Sequence, residues 1–81
     1  MLYKKKKEMK REPLKVFDTI AILTDRPDKK VVFGQVGTIV EELKTGVFEV
    51  EFADKYGETI SQFAVKSEDL MLLHYEMEFN S

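Results

Sequence analysis

The residues best suited to chemistry stand near the end of the chain, where His74, Glu76 and Glu78 alternate. On a strand, that alternation puts all three on one face, which is half of a metal site. A resident metal needs three or four converging ligands, and the chain has no second histidine and no cysteine. The three are therefore read as a solvated strand face, with no metal site. The lone imidazole also removes the base that a serine or threonine nucleophile would need. Asp18, Asp54, Glu68 and Asp69 offer carboxylates for acid–base work, but each falls at a strand start, a turn or a cap. Carboxylates in such places serve local hydrogen bonds. Gly34 and Gly37 are followed by no lysine and no helix start, so backbone geometry rather than phosphate binding accounts for them. The sequence predicts a protein that is not an enzyme and implies no cofactor.

Charge is distributed unevenly. Residues 1–15 hold seven basic side chains (Lys4, Lys5, Lys6, Lys7, Lys10, Arg11 and Lys15) against Glu8 and Glu12, a net of +5. The rest of the chain holds 6 basic and 13 acidic side chains, a net of −7. An acidic body repels phosphate backbones, so nucleic acid contact is expected only through Lys4, Lys5, Lys6, Lys7, Lys10 and Arg11. Tyr3 is the one aromatic residue there, which limits base stacking. Met9 offers a second reading of where translation starts. The absence of cysteine gives no hint of an oxidising compartment. No apolar run approaches the ~18 residues of a membrane helix. A cytoplasmic location is the expectation, with no membrane partner.

The elements that must position these groups read as short strands. Residues 17–23 form a β-branched run, and residues 24–35 form a loop with Pro27 and Gly34. Residues 36–42 and 47–52 are the next two strands, the latter strictly alternating. Joined through Lys44-Thr45-Gly46 as a three-residue hairpin loop, they would pair Leu43 with Val47, Val40 with Val50 and Thr38 with Phe52. Val36, Thr38, Val40, Phe48, Val50 and Phe52 would then share the inner face. A two-residue turn would instead turn Glu41 inward beside Val50 at the cost of a buried carboxylate. Residues 59–66 make a fourth strand, Ser67-Glu68-Asp69 a capped turn, and residues 70–75 a fifth strand. The predicted core is Phe17, Ile20, Ile22, Val36, Val40, Phe48, Val50, Phe52, Phe63, Val65 and Leu70.

Two surfaces follow from this layout. Glu41 falls opposite Glu49, with Glu51 next along the same face, and like charges so placed destabilise a sheet. Either Lys44, Lys55 or Lys66 neutralises them, or they form an acidic docking patch for a basic protein. In the tail, Leu73, Tyr75, Met77 and Phe79 make one apolar row. A row like that packs on its own barrel, pairs with a second copy as a dimer, or meets a protein partner.

At Gly34-Gln35-Val36-Gly37-Thr38-Ile39-Val40-Glu41 the chain resembles a KOW-type element. In that family a loop enters a strand of an SH3-like barrel through a glycine followed by alternating apolar positions, and Gly37 matches the central glycine. KOW domains often bind RNA or ribosomal proteins through basic loops, from which this acidic body departs. Over residues 16–73 the chain also resembles a family of small bacterial proteins catalogued as a domain of unknown function. The match runs through Phe17-Asp18-Thr19-Ile20-Ala21, the loop with Pro27, the segment from Gly34 to Glu41, Phe48-Glu49-Val50-Glu51-Phe52, Asp54, Gly57 and Asp69-Leu70. Its members are short and often encoded beside another small gene, which implies a protein partner. The expected fold is all-β, a small five-stranded SH3-like (KOW-like) barrel over residues 16–75. A flexible basic N-terminal arm, 1–15, precedes it and a tail, 76–81, follows. The expected function is a non-catalytic protein-binding module, the neutralising partner in a small two-gene, toxin–antitoxin-like system. The alternative is an RNA- or ribosome-associated KOW-like protein.

Overall fold

A computed structural model describes residues 13–73. They form five antiparallel strands: β1 (Thr19–Ile22), β2 (Val36–Lys44), β3 (Val47–Ala53), β4 (Thr59–Lys66) and β5 (Leu70–Leu72). Short 3₁₀ turns at Pro27–Lys29 and Ser67–Asp69 complete the described chain, which contains no α-helix. Among the described residues no helix is long and apolar enough to cross a membrane. The strands make one sheet in the order β4-β3-β2-β1-β5.

That order forces the sheet to curl. In a flat sheet its two edges would stand ~19 Å apart, four interstrand spacings of ~4.8 Å. Yet the last residue of β4, Lys66, and the first of β5, Leu70, are joined through only Ser67–Asp69. Four Cα steps reach at most ~14 Å even when extended, and these residues are wound into a 3₁₀ turn. The Ser67 N–H donates to Gly46 O at the β2–β3 turn (2.8 Å), and the Leu23 N–H donates to Asp69 O at the end of β1 (2.8 Å). The crossing thus pins two distant corners of the sheet together and makes the fold barrel-like.

Alternation fills the inside. Phe48, Val50 and Phe52 of β3 point inward, as do Phe63 and Val65 of β4, with Ile20, Ile22, Val31, Ile39 and Leu70 completing one core cluster. The Phe52 and Phe63 rings stack at 5.4 Å. The β1–β2 loop folds back over them: Val31 is buried, and Arg26 and Lys29 stand over the Phe63 ring at 4.8 and 5.7 Å.

The hairpin differs from the expected one. Lys44 pairs with Val47 across a two-residue Thr45-Gly46 turn. A register shift at Leu43 then gives the turn the effect of a longer loop, so Glu42 faces Phe48 and Glu41 faces Glu49, still outward. A second shift at Val40 moves the rest by one residue, and Ile39 rather than Val40 pairs with Val50. Ile39 is fully buried, Val40 is half-buried, Val36 is 47% exposed, and Thr38 faces Glu51 instead of Phe52. The reason lies in Gly37, which faces Phe52. A Cβ at Gly37 would stand 2.8 Å from two Phe52 ring carbons and 2.9 Å from Glu51 O. Only glycine lets the ring lie against β2.

Phe17 also leaves the predicted core and is 79% exposed at φ 77°. It holds the third position of a turn in which the Asp18 N–H donates to Lys15 O (3.1 Å). A positive φ there belongs to the type II turn, where glycine is the usual residue. The turn shortens β1 to start at Thr19, and Leu14 packs against the core instead. β5 ends at Leu72, although the Leu73 N–H still donates to Thr19 O (3.0 Å). The Ser67–Asp69 turn has no side-chain cap from Lys66 and is closed by the Leu70 N–H on Ser67 O.

Candidate functional site

The outer face of the sheet is built by the same alternation that fills the core. With Phe48, Val50 and Phe52 inward, Glu49 and Glu51 must face out. Register then sets their neighbours. Glu49 lies between Glu41 on β2 and Ala64 on β4, and Glu51 lies between Thr38 and Gln62, with Thr19 beyond Thr38. One step along the strands, Val36 lies beside Ala21, and Ala21 beside Met71. The face therefore runs from an apolar row through a polar row to an acidic one.

Among the described residues no ion pair reaches the acidic row. The ion pairs among the described residues are Lys15–Asp18 (3.2 Å) and Arg26–Asp28 (3.3 Å), both elsewhere. None joins Lys44, Lys55 or Lys66 to Glu41, Glu49 or Glu51, and Lys55 stands instead over the Tyr56 ring at 5.4 Å. Neutral donors orient the half-buried carboxylates: Gln62 Nε2 donates to Glu49 Oε2 (3.3 Å), and Thr59 Oγ1 donates to Glu51 Oε2. Both glutamates are thus held by neutral donors, with no ion pair among the described residues. Beside them an open depression of about 400 Å³ is lined by Val36, Gly37, Thr38, Glu51, Ala53 and Gly57. Val36 and Met71, each 47% exposed, give this end of the face its apolar surface.

Of the four carboxylates considered for acid–base work, those of Asp18 and Asp54 are occupied locally. Asp18 accepts from the Lys15 N–H (2.9 Å) and pairs with its ammonium, and Asp54 Oδ1 accepts from the N–H groups of Tyr56 (2.8 Å) and Glu58 (2.9 Å). Asp69 contributes its backbone carbonyl to Leu23, and Glu68 is exposed in the same turn. The Asp28 carboxyl lies below its ordinary range. The hydrogen bond from Arg26 is the main cause, and the charges of Arg26 and Lys29 add to it. Among the described residues no three His, Cys, Asp or Glu side chains gather to hold a metal ion.

Sequence reasoning missed a second exposed feature. Val32 and Phe33, 61% and 62% exposed, sit in a loop held by side chains. Asp25 Oδ1 accepts from the Phe33 N–H (2.7 Å), and Gln35 Oε1 accepts from the Val32 N–H (3.2 Å). The apolar run Val31-Val32-Phe33 before Gly34 is the signal that could have marked it. The arm residues Lys4, Lys5, Lys6, Lys7, Lys10 and Arg11, and the tail residues His74, Tyr75, Glu76, Met77, Glu78 and Phe79, lie outside the described residues.

A family model, Domain of unknown function (DUF4926), matches residues 16–72. The chain belongs to this family. The matched span takes in all five strands and Glu41, Glu49 and Glu51, and it leaves the Lys-rich start outside. No curated protein and no solved structure matches the chain.

Proposed function

We propose that this DUF4926 domain is a non-catalytic protein-binding module, an SH3-like (KOW-like) barrel that holds a basic polypeptide on its acidic outer face. The observation that carries this reading is Glu41 directly opposite Glu49, with no ion pair to either among the described residues. Like charges facing across a sheet destabilise it by about 0.2–1 kcal/mol. A cationic partner would reverse the sign of that term, while the adjoining depression and Val36 offer apolar contact. The strand order and the short crossing from β4 to β5 support the SH3-like reading of the barrel. The family resemblance suggests the setting, in which the domain is the neutralising partner of a small two-gene, toxin–antitoxin-like system. The alternative, an RNA- or ribosome-associated KOW-like protein, draws its support from the basic arm and from the KOW-like segment Gly34–Glu41. Residues 13–73 carry seven basic and eleven acidic side chains, a net of −4 that opposes phosphate binding.

Affinity capture from the native cytoplasm with the full chain tests the reading, using wild type beside Glu49→Lys. The expected result is one basic polypeptide retained by wild type and lost from a variant that still melts cooperatively. Nucleic acid as the main retained species, or a polypeptide held equally by both chains, would overturn it.

A further inference from the structure

We propose that residues 1–12 of this chain dock in cis across the outer face of its own sheet, with Lys4–Lys7 on the acidic row and Met1-Leu2-Tyr3 in the depression beside Val36. The proposal rests on the reading of that face as the docking surface, and it makes the arm the partner's built-in competitor.

Three observations carry it. The first is charge. Residues 1–12 hold six basic and two acidic side chains, a net of +4, and the face presents Glu41, Glu49 and Glu51 with no counter-cation among the described residues. The last eight residues could not take this place. They carry Glu76 and Glu78 with no lysine or arginine, so the face repels them.

The second is where the arm is rooted. The Phe17 N–H donates to Ile39 O (2.7 Å), and the Ile39 N–H donates to Asp18 O (3.0 Å), so the chain enters the sheet two residues from Glu41. From Glu41 back to Val36 is five residues of strand, ~17 Å at ~3.3 Å each. Twelve residues reach up to ~40 Å extended, ample to cross the face and turn back. Tethered so close, the arm works at an effective concentration on the order of millimolar.

The third is order. Leaving the root, the arm presents Arg11 and Lys10, then Lys7 to Lys4, then Tyr3, Leu2 and Met1. Leaving the same point, the face presents Glu41 with Glu49, then Glu51 with Thr38, then the depression with Val36 and Ala53. Basic groups meet carboxylates, and the apolar end meets the apolar end.

Nuclear magnetic resonance of the full chain tests this without any partner, comparing wild type with a variant carrying Lys4→Ser, Lys5→Ser, Lys6→Ser and Lys7→Ser. In wild type, raising salt from ~10 mM to ~1 M collapses the screening length from ~30 to ~3 Å. The amides of Thr38–Glu42 and Glu49–Ala53 should shift between those salts in wild type and stay fixed in the variant, independent of protein concentration. The same shifts in both chains, or shifts that grow with concentration alongside a doubled mass in light scattering, overturn docking in cis. Hexalysine peptide separates this from the underlying reading. With the arm neutralised, hexalysine should bind the face about tenfold tighter than in wild type. If hexalysine binds both chains equally at Glu49 and Glu51, the arm proposal fails and the docking face stands. If it perturbs neither chain there and the arm shifts are also missing, the face reading fails too.

Discussion

Glu41→Lys should make this domain more stable while removing its affinity for a basic partner. The substitution changes the cross-strand pair with Glu49 from like to opposite charge without touching the core, since both side chains face outward. Two unit charges ~6 Å apart in water interact by about 0.7 kcal/mol. Reversing one sign therefore gives a swing near 1.4 kcal/mol, reduced to about 1 kcal/mol by the entropy of ordering an exposed lysine. For a domain of this size that is a rise in Tm of roughly 4–8 °C. Thermal melts followed by circular dichroism at ~10 mM and ~1 M NaCl supply the assay, because screening at high salt should erase most of the difference. Glu41→Gln should give about half the gain. An arm docked as proposed would offset part of the repulsion, so the gain should be larger when Lys4–Lys7 are serine. A lower or unchanged Tm at low salt in that background would show that the glutamates are compensated, and the case for an uncompensated docking face would fall.

Gly37→Ala should destabilise by about 1–3 kcal/mol, because its Cβ meets Phe52 and the Glu51 carbonyl at under 3 Å; urea melts would measure the loss. Phe17→Gly should raise stability by about 0.5–1 kcal/mol, since relief of a left-handed backbone outweighs glycine's extra chain entropy, and a fall in Tm would mean the ring is packed. Arg26→Ala should return the Asp28 carboxyl toward its ordinary value, followed by its carbon chemical shift against pH. A folded-state value held low contributes stability above the unfolded value, ~3.9, and loses it as pH falls through that value toward the folded one. The wild type should therefore shed this small contribution near pH 4 and below, and Arg26→Ala should lack it.

The strands were legible wherever one face is wet and the other dry. β3 alternates strictly, so its inward Phe48, Val50 and Phe52 and outward Glu49 and Glu51 could be read directly. The facing of Glu41 and Glu49 was legible too, though through a different route: a two-residue turn plus a bulge at Leu43 equals the longer loop inferred from Lys44-Thr45-Gly46. Past Val40 the reading slips, because a bulge adds a residue without altering the apolar pattern. Val-Gly-Thr-Ile-Val supports either Ile39 or Val40 as the inward residue. What decides is the fit of the Phe52 ring over Gly37, a long-range contact with no local signature. Phe17 was misplaced for a similar reason. It opens an apolar run, and nothing in its type announces a backbone conformation that glycine usually takes, or that Leu14 fills the core in its stead.

Departures from maximum stability in this small domain fall on its surface. The core cluster holds no buried polar or charged residue, and the Ser67–Asp69 crossing is tied by backbone bonds at both ends. The outer side is different. It carries two glutamates face to face where one lysine would stabilise the sheet, and it leaves Phe17 exposed in a turn that favours glycine. Asp25 and Gln35 hold the loop that presents Val32 and Phe33 to solvent. Places where a local rule is broken at a cost to folding are where functional contacts are sought. Of these features, the acidic row has the chemistry that specifies its counterpart most narrowly, because only a cation relieves it. In the docking proposed above, the chain's own first twelve residues supply that cation.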